Sequence, residues 1–350
     1  MPSARILIAG GSGFFGAAAA ELLRADGLSP LIASRRDGGD VTLDVEDGAS
    51  LRAALRPGDV LLDAAGPFQD RSVTLVEAAI EVGFHVVDVG DSLHYTLALS
   101  ELTPRMEAAG IAVLNACSSV SAVDAALVAA TGIPTPLRVS GFLAPASRYS
   151  ASAGTSQSLL RSVGAAVRVF RDGRLVEEPG WLRQRDFRLP PPLGNLSGGL
   201  FESADSYWLP RIWPSLREVD LTIDTRIRGF NRLLSSAARR PWLLRRLARW
   251  QRPGLQLARL LGSARGCLGV EVEDSGGRVR LAALVPRERG HLIAVAPAAL
   301  ATSALFRGTF ALRGLVPPNR QVEPDRLFEY LRGLGVERQD AELSAGDDSF

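Results

Sequence analysis

The stretch "ILIAGGSGFFGAAAAELL", Ile6 to Leu23, decides how this chain is read. Gly10, Gly11, Gly13 and Gly16 stand between a short apolar run and an alanine-rich one. Glycines that crowded disfavour regular structure unless the backbone needs unusual dihedrals or something must approach it closely. "RILIAG" reads as a buried parallel strand and the run after the glycines as a helix. Strand, glycine turn and helix in that order put a helix N-terminus over the turn. Its N–H groups and dipole then make an anion site suited to a pyrophosphate. Two overlapping patterns, Gly10-x-x-Gly13-x-x-Gly16 and Gly11-x-Gly13-x-x-Gly16, predict a dinucleotide site. Gly10, Gly11, Ser12, Gly13, Phe14, Phe15 and Gly16 are its candidate residues; a purely structural glycine turn is the alternative.

Outward from this turn, the first 120 residues alternate strand and helix patterns with short loops. Strands are predicted at 5–9, 31–34, 41–43, 60–63, 85–88 and 112–115, with helices between them. The fold class is therefore α/β: an N-terminal Rossmann doubly wound parallel sheet over 1–122, with its ligand crevice at the strands' carboxyl ends. The second strand ends "LIASRRDGG". Ser34, Arg35 and Arg36 supply donors and positive charge that suit a 2′-phosphate, so NADP(H) is favoured over NAD(H). Asp37 is the ribose carboxylate if the strand runs longer. Asp44, ending "LD", is placed for the adenine edge. "DAAGPF" ends the fourth strand at the switch point, where Ala65, Gly66, Pro67 and Phe68 let the nicotinamide half approach the backbone.

After residue 122 the pattern changes to hairpins with a few helices, predicting a mixed α+β domain over 123–336. "VRVFRDGRLVEE" turns at Asp172-Gly173, and "LGVEVEDSGGRVRLAALV" around Ser275-Gly276-Gly277. The stretch 178–214 is rich in Pro, Gly and aromatics and reads as a long lid or binding loop, or equally as irregular packing. The polar tail, 337–350, reads as disordered.

Composition narrows the chemistry. All 40 basic residues are Arg, with no Lys, which a GC-rich genome explains. A Schiff-base lysine, a P-loop lysine and a Tyr-x-x-x-Lys pair are thereby excluded. A net charge of +2 gives no global case for nucleic acid. Two cysteines, Cys117 and Cys267, far apart and without a His cluster, argue against a metal site or disulfide framework and fit a reducing cytoplasm. The chain enters strand pattern by Arg5, which reads as no signal peptide. Its most apolar stretch, "HLIAVAPAALATSALF", is interrupted by Pro297 and reads as a buried helix.

"GGSGFFG", "ASRR", "LDAAGPF", "GFHVVDVGD", "GTSQSLL" and "PAALATSALFRGTFALRGLVPP" together resemble the saccharopine dehydrogenase-like family of NAD(P)-dependent reductases. The resemblance implies a Rossmann domain plus a mixed-sheet domain for substrate and homodimer contacts. It implies oxidoreductase chemistry on a small or lipid-like substrate. Many relatives carry a Gly-Phe-Asp-Ser-x-Pro-Ser-Asp-type loop after the sixth strand; here "NACSSVSAVD" is shorter, lacks the Pro and keeps only Asp124 at its end.

Hydride transfer needs a positioned nicotinamide and substrate, and a proton donor helps. His94 and Tyr95, after "DVGDSL" at the fifth strand's end, are the candidate acid and orienting group, with Asp124 a third candidate that reads equally as stabilising the start of the following helix. A helix start capped by Asp91 or Ser92 is the plainer reading of that segment. His85 opens a buried-looking strand and reads as structural. Thr155 and Ser156 read as a helix cap. In "RRPWLLRRLARWQRPG", Leu243, Leu247 and Trp250 are assigned to one helical face and Arg245, Arg249 and Arg252 to the other. Residues 241–252 therefore read either as packing on this domain or a partner subunit, or as a peripheral contact at the inner membrane. The functions in play are an NADP(H)-dependent reductase of a C=O, C=N or C=C bond, a non-catalytic NADP-binding regulator, and a membrane-surface protein.

Overall fold

The computed structural model describes residues 4–35, 38–150, 153–191, 194–250, 254, 256 and 260–343. Chain order begins β1 (Ile6–Ala9), α1 (Phe14–Ala25), β2 (Leu31–Ser34), β3 (Val41–Thr42), α2 (Gly48–Ala54), β4 (Val60–Asp63), α3 (Thr74–Val82), β5 (His85–Asp88), α4 (Leu93–Ser100), α5 (Thr103–Ala108) and β6 (Ala112–Leu114). It continues through α6 (Ala122–Ala130), β7 (Pro136–Ala144), α7 (Ser147–Ser150), α8 (Ala153–Ser162), β8 (Ala166–Arg171), β9 (Arg174–Pro179), β10 (Gln184–Leu189), β11 (Gly194–Phe201), α9 (Asp205–Ile212), β12 (Glu218–Ile223), α10 (Phe230–Ala238) and α11 (Pro241–Arg249). Last come β13 (Cys267–Asp274), β14 (Val279–Pro286), α12 (Leu292–Phe306), β15 (Gly314–Leu315), α13 (Pro324–Gly333) and β16 (Val336–Leu343).

These elements form two units, one of residues 1–123 and 292–327, the other of residues 124–291 and 328–350. In the first, a parallel seven-stranded sheet runs β15-β6-β5-β4-β1-β2-β3. Strands β1 and β4 are wholly buried, as central parallel strands covered on both faces must be. The alanine face of α1 (Ala18, Ala19, Ala20) lets it approach the sheet closely and pack beside α12. Helix α12 is the apolar stretch around Pro297, and it is buried as its sequence predicts.

The boundaries differ from the sequence reading in one respect. Residues 292–327 complete the Rossmann unit: α12 packs on α1, β4 and β5, and β15 adds a strand parallel to β6. An almost uniformly apolar helix has no polar face, so its pattern does not say which core it joins. His85 is structural: its Nδ1 accepts from the Ala112 N–H at 3.0 Å, and burial, with Arg313 nearby, lowers its pKa to about 4.

The second unit is a mixed nine-stranded sheet, in which β10-β11-β12-β7-β13-β14-β16 run in order and β8 and β9 branch from β12. Both predicted hairpins form: Asp172 and Gly173 take φ 49° and 81° in one, and Gly277 takes φ 79° in the other. Residues 178–214 are a correction. They hold β10, β11 and α9 rather than a lid loop, with Phe187 and Leu189 buried on alternating positions of β10 and Leu196 and Phe201 buried on β11. The Pro and Gly residues at the ends of these strands obscured that period. The tail is corrected too, since residues 336–343 are β16, antiparallel to β14. Its charges suit an edge strand, where polar side chains block further pairing. Residues 344–350 lie outside the described residues.

Trp181, fully buried, locks this sheet to α8 and α10: its Nε1 donates to Ser162 Oγ at 3.0 Å, and its ring lies on the bare backbone of Gly199. A Cβ at Gly199 would collide with that ring. Gly199→Ala should therefore destabilise the protein by about 1–3 kcal/mol in chemical denaturation, as overpacking does; an unchanged midpoint would contradict this packing.

Candidate functional site

The glycine turn sits at the carboxyl end of β1, and its four glycines do different work. Gly10 takes φ +70°, and a Cβ there would lie 2.8 Å from Ala64 O and 2.9 Å from Ala65 Cα, so the turns after β1 and β4 meet backbone to backbone. At Gly11 a Cβ would meet the Ile32 side chain at 2.8 Å. At Gly16 it would strike Gly10 O, so this glycine seats α1 on the turn rather than on the sheet. Gly13 differs, because its Cβ would have only Gly10 O, at 3.1 Å, nearby and would otherwise enter open space.

Gly13 is also the N-cap of α1, and its N–H donates to Gly10 O at 2.8 Å. No side chain caps α1, and its first turn carries no acid. Ser12, Gly13 and Phe14 are exposed and Phe15 is half-buried. The donor end of a twelve-residue helix thus faces a space kept open by a missing Cβ, which fits the pyrophosphate of a dinucleotide. Ser34 closes β2, and Arg35 next to it is exposed. Arg36 and Asp37 lie outside the described residues. Asp44 turns back on its own loop: its Oδ1 accepts the Glu46 N–H at 3.0 Å, and its N–H donates to Ser50 Oγ at 3.0 Å.

Next along the sheet edge, Ala65 and Phe68 are half-buried and buried, and Gly66 and Pro67 are exposed, with the Gly66–Pro67 peptide cis. A cluster that the motif search passed over holds this loop. Strands β4 and β5 each end in a buried aspartate, Asp63 and Asp88, and Asn115 follows β6. Asp63 receives the Ala65 N–H at 2.9 Å and pairs with the buried Arg71 guanidinium at 3.0 Å. Arg71 also donates to Ala65 O, reaches Glu46 at 3.2 Å and stacks over the Phe68 ring, 5.1 Å from its centre. Asp88 accepts from the Gly90 and Ala116 N–H groups at 2.9 and 3.0 Å and from Asn115 Nδ2 at 3.1 Å. Asn115 in turn accepts from Thr96 at 2.7 Å. The missed signal was the endings of three successive strands, "LLD", "VVD" and "VLN".

The candidate chemical residues are placed apart. His94 is exposed, whereas Tyr95 is fully buried beside Phe68, with ring centres 6.4 Å apart. The two are not a catalytic pair. Burial, with Asp88 and Asp63 beside it, pushes the Tyr95 hydroxyl well above the usual tyrosine range, so it stays protonated and underpins the 66–68 loop. Ser92 Oγ accepts the Tyr95 N–H at 3.2 Å, so the capping reading of this segment is correct. Asp124, in the second unit, is fully buried in the first turn of α6 and is no exposed acid. Burial and the neighbouring Asp205 carboxyl push it well above the carboxylate range. Thr155 and Ser156 lie inside α8, which starts at Ala153, and so do not precede it as caps. Among the described residues no His, Cys, Asp and Glu grouping could hold a metal ion, and no helix is long and apolar enough to cross a membrane.

The cluster predicts a pH effect. Burial raises Asp63 to about 7 against the pull of Arg71, so the folded state holds its proton where the unfolded chain has lost it. Stability contributed at this site must therefore fall as pH rises from about 4 to about 7 and level off above. Asp63→Asn should flatten that part of the melting-temperature profile relative to the parent protein. Parallel profiles for the two proteins would contradict the assignment.

The sequence model of the saccharopine dehydrogenase NADP binding domain matches residues 6–114. No curated protein sequence matches the chain. Among solved structures, apo saccharopine dehydrogenase (L-Glu forming) from Saccharomyces cerevisiae is 15% identical with a TM-score of 0.64, over 98% of this chain and 100% of that one. The UDP-N-acetylglucosamine 3-dehydrogenase of Acidithiobacillus ferrooxidans is 10% identical with a TM-score of 0.39, over 96% and 97% of the two chains. Residues 6–114 thus match the saccharopine dehydrogenase NADP binding domain, and the whole chain has a saccharopine dehydrogenase-like fold.

Proposed function

We propose that this protein is an NADP(H)-dependent oxidoreductase that reduces a C=O, C=N or C=C bond of a small or lipid-like substrate. The observation that carries the reading is the uncapped N-terminus of α1 behind Gly13, on the carboxyl edge of a parallel sheet. The match of residues 6–114 to an NADP binding domain supports it. Bound there, the dinucleotide would supply the hydride. The Gly13–Phe15 backbone would hold the pyrophosphate, and Ser34, Arg35 and Arg36 the 2′-phosphate. The loop Ala65–Phe68, braced by Arg71 and Tyr95, would carry the nicotinamide half. Arg71 spends its charge on Asp63 and Glu46, which leaves the 2′-phosphate to the arginines after β2. His94, exposed at the start of α4, remains the side chain of the original pair open to a substrate; water is the other proton source.

Titration calorimetry with both cofactors tests the reading. Each charge-assisted contact to a 2′-phosphate is worth roughly 1.5–3 kcal/mol, or about ten- to a hundredfold in affinity. NADPH should bind more tightly than NADH, by a margin that shrinks with salt. Changing Arg35 and Arg36 together to Ala should remove most of that margin and leave NADH nearly unchanged. Gly13→Val should abolish binding of both in a folded protein. A preference for NADH would overturn the NADP(H) assignment in favour of Asp37 as ribose ligand. Tight NADPH binding with no turnover on any carbonyl, imine or enoyl substrate would instead support the regulatory reading.

A further inference from the structure

Residues 225–270 contain eleven arginines and no Asp or Glu, in a chain whose net charge is only +2. The rest of the protein is therefore acidic, and the positive charge is concentrated in one segment of the second unit. Helix α11 organises the centre of it. Leu243, Leu244 and Leu247 pack toward the cluster around Trp181 and Leu234. At 100° per residue, Trp242, Arg245, Arg246 and Arg249 then fall on the opposite arc. All four are exposed, and so is Trp250 at the helix end. The sequence reading, which put Trp250 on the leucine face, is corrected here: Trp242 and Trp250 are 57% and 62% exposed. Leu260 and Leu261, further along the same acid-free segment, are 72% and 63% exposed.

We propose that this face docks on an anionic phospholipid membrane. Two features must be explained together: dense positive charge with no ion pair among the described residues, and large apolar side chains left in water along the same segment. The headgroup region of an anionic bilayer satisfies both, since phosphates meet the guanidinium groups while indole and leucine side chains enter the acyl boundary. Nucleic acid would answer the charge but give Leu260 and Leu261 no apolar environment. A second copy of this chain would answer the apolar surface but set Arg245, Arg246 and Arg249 against like charges across a two-fold interface. The same segment sends Arg226, Arg228 and Arg232 into a neighbouring cleft of about 1010 Å³. There Asp224 is occupied by Asn231 at 2.7 Å and by the Arg226 and Ser197 N–H groups at 2.8 and 3.1 Å. With Arg188, four arginines line this cleft against the two carboxylates of Asp186 and Asp224, so its net charge extends the positive field.

Co-sedimentation of the full-length protein with vesicles tests this. It should bind phosphatidylcholine–phosphatidylglycerol vesicles, leave pure phosphatidylcholine vesicles largely unbound, and dissociate as salt is raised. Arg245, Arg246 and Arg249 changed together to Ala should lower the partition coefficient about a hundredfold, at about fivefold per arginine. Trp242→Ala with Trp250→Ala should lower it about tenfold or more. Both variants should keep the parental melting temperature and NADPH affinity, which separates failure of docking from failure of the fold or of the cofactor reading. Absence of binding to the anionic vesicles, equal binding to neutral ones, or a dimer in light scattering that the Trp changes dissociate would overturn the proposal.

Discussion

The backbone contact between the turns after β1 and β4 governs the first unit. Two parallel strands side by side bring their carboxyl-end turns together, and only a glycine at position 10 leaves room for Ala64 and Ala65. That contact fixes the path of residues 10–13, and Gly16 then lets α1 start directly on the turn. With glycine as its N-cap the helix carries no side-chain cap, although the space in front of Gly13 is open. The proposed anion site is in this sense a by-product of packing. The same glycines that close the strand turns leave α1 with no side-chain cap and no acid in its first turn.

The neighbouring strands solve a different problem at the same sheet edge. Asp63, Asp88 and Asn115 end or follow successive strands and use their side-chain oxygens to tie down the loops that follow. Burying two carboxylates side by side is costly, and Arg71 offsets part of that cost by pairing with Asp63 and spanning to Glu46 and Ala65. Gly90 serves the same arrangement, since a Cβ there would press on the Phe68 ring at 2.9 Å. The loop Gly66–Phe68 is thus held from beneath by Arg71, Gly90 and Tyr95 while Gly66 and Pro67 stay open to solvent.

What was legible in the sequence follows from how local each signal is. The β1–turn–α1 unit, the parallel strands and both hairpins are written in contiguous residues, and they form as read. The buried polar cluster depends on strand ends far apart in sequence, so no single motif announces it. Tyr95 and His94 are adjacent in sequence and about 100° apart on one helix, and that one is buried and the other exposed is decided by the packing of α4. Residues 292–327 return to the first unit through long-range pairing of β15 with β6. Strand β16 looks disordered because an edge strand is stabilised by its neighbour rather than by its own apolar content. Trp250 keeps the leucine spacing but is the C-cap of α11, at the end of the helix, and is exposed there.

The central claim is that the donor end of α1 and the loop after β4 hold the two halves of one dinucleotide. A crystal structure with NADPH bound tests it most directly. The account predicts pyrophosphate oxygens about 3 Å from the N–H groups of Phe14 and Phe15, with the nicotinamide ring against Ala65–Phe68. A pyrophosphate seated away from the α1 N-terminus, or a nicotinamide ring lying away from residues 65–68, would contradict it.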